Sequence, residues 1–169
     1  NKAYADKVRS GLRKLKLSTE NIFLEPESRN TLAAIGVLAF KINNIDNDAV
    51  VVVLPCDNFI KDADKFKKCV EEGIVVARQG YIVTLGIAPV RPETGYGYIK
   101  IKSKVKSQKS KVYYEVEKFI EKPDLTRAKK FIKDGRYYWD SGIFIFSPRV
   151  ILKEAKKFQK ILNKMKWKK

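Results

Sequence analysis

Apolar residues recur at three- and four-residue steps between Ala3 and Leu17, where Tyr4, Val8, Leu12 and Leu15 fall on one face of a predicted helix. Asn21 to Leu24 reads as a short strand. Leu32-Ala-Ala-Ile-Gly-Val-Leu-Ala-Phe40 is apolar on nearly all sides, which predicts a helix largely buried in the core. The run Ala49-Val-Val-Val-Val-Leu54 has no alternation and is rich in β-branched residues, the pattern of a central parallel strand covered on both faces. Asp62 or Asp64 can cap a helix running to about Gln79, with Gly80 closing it, and Tyr81 to Ile87 is the next strand. Tyr98 to Val105 and Val112 to Ile120 alternate as two long strands joined by the polar Ser107-Gln-Lys-Ser110. Leu125 to Lys133 is a short helix ended by Gly135, Gly142 to Phe146 a buried strand, and from Arg149 the pattern is helical again. Helices alternating with apolar strands predict a single α/β domain over 1–169, built on a doubly wound, mainly parallel, Rossmann-like sheet with a β-ribbon insertion.

Composition narrows what such a domain meets. A hydrophobic content of 44% in 169 residues supports a real core and argues against disorder. The formal net charge of +17 sets up a field that attracts anions such as nucleotides and sugar phosphates. The lysine runs from Lys100 to Lys118 and from Lys153 to Lys169 alternate with apolar residues and read as solvated faces, not as a nucleic-acid site, because no aromatic stacking platform accompanies them. Cys56 and Cys69 lack CxxC spacing, and with no histidine in the chain to complete a metal set no zinc site is expected. Two such cysteines suit a reducing compartment. No apolar run approaches the ~20 residues that span a bilayer, and Asn1-Lys-Ala-Tyr-Ala-Asp6 is too polar for a signal peptide. A soluble, cytoplasmic protein with no membrane partner is expected, and a homo-oligomer stays open.

Several residues are placed for chemistry. Asp57 ends the valine-rich strand, where ligands collect in open α/β sheets; it is either a carboxylate holding a hydrated divalent cation or a cap for the next helix. Glu121-Lys122-Pro123 follows a strand and is either a surface ion pair or a hydroxyl acceptor beside a phosphate-binding cation. Gly95 and Gly97 permit close backbone approach or simply make a tight turn. Arg29, with Asn30 and Thr31, precedes the apolar helix run and is read as a phosphate ligand or as part of a capping turn.

Taken together, Glu25-Pro-Glu-Ser-Arg-Asn-Thr31, Leu54-Pro-Cys-Asp57, Arg91-Pro-Glu-Thr-Gly-Tyr-Gly-Tyr98, Phe119-Ile-Glu-Lys-Pro123 and Trp139-Asp-Ser-Gly-Ile-Phe144 resemble the sugar-1-phosphate nucleotidylyltransferases, and within them the mannose-1-phosphate guanylyltransferases. The resemblance implies the nucleotide-diphospho-sugar transferase fold and transfer of GMP from GTP to α-D-mannose 1-phosphate, with GDP-mannose as product. It implies Mg²⁺ on Asp57, the sugar phosphate on Lys122, the base against Glu25, Pro26, Arg29, Asn30 and Thr31, and the hexose against Glu93, Gly95, Tyr96, Gly97, Glu121 and Asp140. Three positions depart from the family pattern: Cys56 stands for a small residue, Asn58 for histidine and Asp140 for asparagine. A carboxylate at 140 accepts from a hydroxyl but cannot donate. The family's glycine-rich phosphate loop has no counterpart in these residues, so the chain is expected to be a fragment incomplete at both ends and inactive by itself. The alternative is a non-catalytic domain of the same fold that binds a nucleotide sugar or RNA.

Overall fold

The computed structural model describes residues 2–24, 30–106 and 112–157. A 3-10 turn (Lys2–Tyr4) leads into helix α1 (Ala5–Lys14), and α2 (Asn30–Ile45) carries the long apolar run. Strand β1 (Val51–Val53) is followed by α3 (Ala63–Ala77), β2 (Val83–Ile87), the long ribbon β3 (Tyr98–Lys106) and β4 (Val112–Ile120), then α4 (Leu125–Asp134), β5 (Tyr137–Phe146) and α5 (Pro148–Lys157). Asp62, one of the two candidate caps, accepts from the Lys65 amide and starts α3. Asp124 does the same for α4 through the Arg127 amide, and Gly135 ends that helix at φ 73°. Asn21 to Leu24 is a turn and irregular chain, not the predicted strand: its apolar pair, Phe23 and Leu24, has no ladder to join and stays largely exposed.

β5 organises the sheet. At Ile145 it pairs with Val52 of β1 and Val83 of β2, so these two strands lie on opposite edges of it. At Trp139 it pairs with Ile87 of β2 and Tyr98 of β3, which puts β3 on the same edge as β1, further along. β4 extends the sheet beyond β3. The predicted mainly parallel pairing is corrected here. β1, β2 and β3 do run in one direction, but β5 threads between them in the opposite sense, and every hydrogen-bonded strand pair among the described residues is antiparallel. β5 also begins at Tyr137, ahead of the predicted Gly142, because Tyr137, Trp139 and Ile143 alternate inward across a stretch whose polar Asp140-Ser141-Gly142 reads locally as a turn.

Helices cover both faces of β5, as a doubly wound α/β fold requires. Gly73 of α3 lies against Ile145, whose Cδ1 sits 2.5 Å from where a β-carbon would be. Phe146 clusters with Ala39 of α2 and Ile151 of α5, with Phe144, Val51 and Val53 packed around them. Successive strand residues face opposite sides, so α3 and the α2–α5 pair are separate layers. A second cluster joins Tyr98, Trp139, Tyr137 and Ile120 to Ala128 and Phe131 of α4, with the Tyr137 and Phe131 rings stacked 4.1 Å apart. Two burial expectations are corrected. α2 buries Ala33 and Ala39 but leaves Leu32 and Phe40 well exposed, and β1 is only half-buried on each residue, because α2 packs mainly along one stripe against α5 and β5.

Candidate functional site

β1 and β3 share one edge of β5 and run in line in the same direction, β1 ending where it reaches Phe144 and β3 starting opposite Trp139. The interval between them, at Asp140-Ser141-Gly142, is left without a neighbouring strand on that edge, and the loops at the end of β1 and the start of β3 converge on it. Gly142 holds φ 71°, where a side chain would be strained, and its missing β-carbon leaves room for Pro55 Cγ at 3.1 Å. Asn58 Nδ2 donates to the Ser141 carbonyl at 2.9 Å and pins the loop after β1 over the interval. Ser141 Oγ donates to the Leu85 carbonyl of β2 at 2.6 Å and ties down the other side.

Gly97, Glu121 and Asp140 lie side by side, one each from the start of β3, the end of β4 and the middle of β5. A β-carbon on Gly97 would be 3.2 Å from Glu121 Oε2 and 3.6 Å from Asp140 Cβ, so glycine leaves an open floor between two carboxylates. Asp140 takes the Gly142 amide at 3.0 Å and the Thr84 hydroxyl at 3.4 Å, both on Oδ1. Its Oδ2 and Oε2 of the exposed Glu121 remain as open acceptors among the described residues. Lys122 Nζ is 3.5 Å from Glu121 Oε1, with both side chains mostly in solvent. Its backbone sits at φ 37° just before the buried Pro123, a conformation that costs of order 1–3 kcal/mol and is typically held where function needs it.

The turn before β3 is built around Glu93. Its Oε1 accepts the Thr94 and Gly95 amides, each at 3.0 Å, and its Oε2 accepts Arg91 Nε at 3.2 Å and Nη2 at 3.1 Å. The Gly95 amide first, then Arg91 and the Thr94 amide, hold this carboxyl below the usual carboxylate range. Tyr98, fully buried, donates its hydroxyl to the Glu93 carbonyl at 2.8 Å. Arg91 also lies over the Trp139 ring at 5.6 Å, and Tyr96 meets that ring edge-on at 5.4 Å. The Trp139 indole N–H is buried without a partner among the described residues, so packing alone holds the ring.

Asp57 is exposed at the end of the loop after β1, next to the Asn58 bond that fixes this loop over Ser141. Among the described residues no group of three or more His, Cys, Asp or Glu comes together. Of the expected base-binding set, Glu25, Pro26 and Arg29 lie outside the described residues, Asn30 opens α2, and Thr31 is exposed in its first turn. The Ser107–Ser110 connection and the end of the carboxyl-terminal lysine run also lie outside them. On the ribbon, Lys100 pairs with Glu117 at 2.8 Å and Lys102 with Glu115 at 2.6 Å, so these charges are met within the sheet, as a solvated face would have it. A cavity of about 300 Å³ lined by Asp48, Val50, Arg78, Ser147 and Arg149 opens at the other end of β1. It shares no residue with the site, and its Arg149 is already bound to Asp48 at 2.5 Å. No described helix is long and apolar enough to cross a membrane. Sequence reasoning missed Arg91, Thr84, Ser141 and Gly142. Arg91, Ser141 and Gly142 lie inside the blocks that carry the resemblance but were given no role there, and Thr84 carried no signal.

The family model for nucleotidyl transferases matches residues 1–167. Mannose-1-phosphate guanylyltransferase of Escherichia coli (strain K12) is 42% identical over 154 residues, which is 90% of this chain and 32% of that protein. The crystal structure of a mannose-6-phosphate isomerase from Helicobacter pylori superposes with a TM-score of 0.70 at 32% identity, over 86% of this chain and 54% of that one. The crystal structure of a mannose-1-phosphate geranyltransferase from Thermus thermophilus superposes with a TM-score of 0.69 at 28% identity, over 85% of this chain and 41% of that one. The chain spans about a third of the length of the curated relatives it matches, 32% and 30% for two of them.

Proposed function

The chain belongs to the nucleotidyl transferase family, and on that premise we propose that the protein transfers GMP from GTP to α-D-mannose 1-phosphate, giving GDP-mannose and pyrophosphate. Residues 1–169 are, in this reading, one nucleotidyltransferase-like domain. The observation that carries the proposal is the row of Gly97, Glu121 and Asp140 with Lys122 in its strained turn. An open floor between two acceptors, beside a cation, is complementary to a hexose 1-phosphate. Similarity to a mannose-1-phosphate guanylyltransferase supports mannose as the hexose and GTP as the donor.

Mannose 1-phosphate is already anionic at neutral pH. One of its phosphate oxygens attacks the α-phosphorus of GTP, a new P–O bond forms, and the bond to the α–β bridging oxygen breaks, so that pyrophosphate leaves with that electron pair. The nucleophile needs no base, which suits a chain without histidine. The residues act by alignment and charge. Lys122 holds the sugar phosphate, Glu121 and Asp140 accept from hexose hydroxyls, Gly97 admits the ring, and Glu25, Pro26, Arg29, Asn30 and Thr31 around the start of α2 take the nucleotide. Enzymes of the family generally use divalent metal ions; the exposed Asp57 carboxylate, a hard oxygen donor, would hold such an ion, Mg²⁺ in this reading. When bound there, the ion supplies neutralisation of phosphate charge. The exposed free thiols of Cys56 and Cys69 support a cytoplasmic location.

The test is turnover of the complete gene product with GTP, mannose 1-phosphate and Mg²⁺. Release of pyrophosphate with stoichiometric GDP-mannose is expected. Binding of nucleotide sugar without pyrophosphate release, or a preference for another hexose phosphate, overturns the reading.

A further inference from the structure

We propose that Glu93 is a positioning residue that clamps the Thr94–Gly97 turn beneath the sugar, and not a ligand of the sugar. The inference rests on the reading of Gly97, Glu121 and Asp140 as the hexose site. A carboxylate offers about four lone-pair positions, and four donors already fill those of Glu93: the Thr94 and Gly95 amides on Oε1, and Nε and Nη2 of Arg91 on Oε2. No acceptor position is left for a hexose hydroxyl. Glu121 and Asp140 contrast with it, since each keeps an open oxygen beside Gly97.

The clamp is anchored at both ends. The Glu93 carbonyl takes the hydroxyl of Tyr98, which is fully buried at the start of β3, and its carboxylate holds Arg91 over Trp139, the residue before Asp140. One side chain thus joins the turn bearing Gly95 and Gly97 to the strand bearing Asp140. Shifting that turn moves the Gly97 floor relative to both acceptors, so the sugar is seated less well while the phosphate contact at Lys122 is untouched.

The experiment compares Glu93→Ala with Glu93→Gln in the complete gene product. Gln keeps an oxygen for the two amides, whereas Ala removes every acceptor. For Glu93→Ala we expect KM for mannose 1-phosphate to rise about tenfold, with kcat within about threefold and KM for GTP unchanged, and Glu93→Gln to recover most of the loss. The penalty for removing any single hydroxyl of the sugar should be the same in Glu93→Ala as in the wild type. Amide hydrogen exchange read without substrate should show Thr94 and Gly95 deprotected in Glu93→Ala and protected in Glu93→Gln. The proposal is overturned if one deoxy-sugar penalty disappears in Glu93→Ala, since that identifies a direct contact, if both substrates weaken equally, or if the two amides stay protected. A wild-type protein without turnover sinks the reading of the site, while the exchange pattern decides the clamp independently.

Discussion

Lys122 stands at φ 37° immediately before a proline, and neither neighbour relieves that strain. The turn puts the ammonium 3.5 Å from Oε1 of Glu121, the carboxylate that borders Gly97. Lys122→Ala should weaken mannose 1-phosphate binding by about 1.5–3 kcal/mol, the range for hydrogen bonds to charged groups, with GTP binding little changed in separate calorimetric titrations. Lys122→Gly should lose the same affinity yet denature at equal or higher temperature, because glycine adopts positive φ without penalty. Asp57→Asn keeps size and removes a charge, and turnover should fall by of order 10²–10³; wild-type rates in that variant would leave Asp57 a surface carboxylate. Glu93 carries a pH dependence. Its folded pKa is depressed, chiefly by the Gly95 amide, so its stabilisation is complete above the unfolded carboxylate value of about 4.3 and is lost as pH falls through the lower folded value. Thermal melts of wild type and Glu93→Gln should therefore differ above about pH 5 and converge in acid.

At the scale of elements, Gly142 is the point where the loop after β1 meets β5. Gly142→Ala adds a β-carbon against Pro55 at a residue with φ 71°, and should lower stability by about 1–2 kcal/mol from the left-handed backbone alone, read as a shift in the denaturant midpoint at constant slope. The elements themselves were largely legible. Asp62 and Gly135 read correctly as punctuation because capping is local chemistry. β5 was legible only from Gly142 onward, since Tyr137 to Ser141 owes its strand state to β2 and β3 on either side, which no local pattern encodes. Antiparallel threading was hidden for the same reason: an unbroken valine run signals burial, not the direction of its partner. In the site, the Gly97–Glu121–Asp140 row followed from strand ends and resemblance. The saturation of Glu93 did not, because it depends on Arg91 folding back onto its own turn.

Across residues 1–169 the excess of basic residues, +17 in formal charge, sets up a field that attracts anions, the two proposed substrates among them. Raising ionic strength from 0.01 to 0.1 M shortens the Debye length from about 30 to about 10 Å, so apparent KM for GTP and for mannose 1-phosphate should both climb with salt while kcat moves less; a flat KM would mean that only contact charges matter. The placement of β5 has a further consequence, for synthesis on the ribosome. Among the described residues, strands β1 and β2 find their partner in Tyr137–Phe146, the last of these strands to be translated, whereas β3 and β4 are hairpin neighbours that can pair within about 1–10 μs. At roughly 5–20 residues per second, Val53 waits on the order of ten seconds for Phe144 to emerge. For that interval Val51–Val53 stays without its β5 partner, and Ala39 of α2 stays without the Phe146 and Ile151 side chains that later cluster with it.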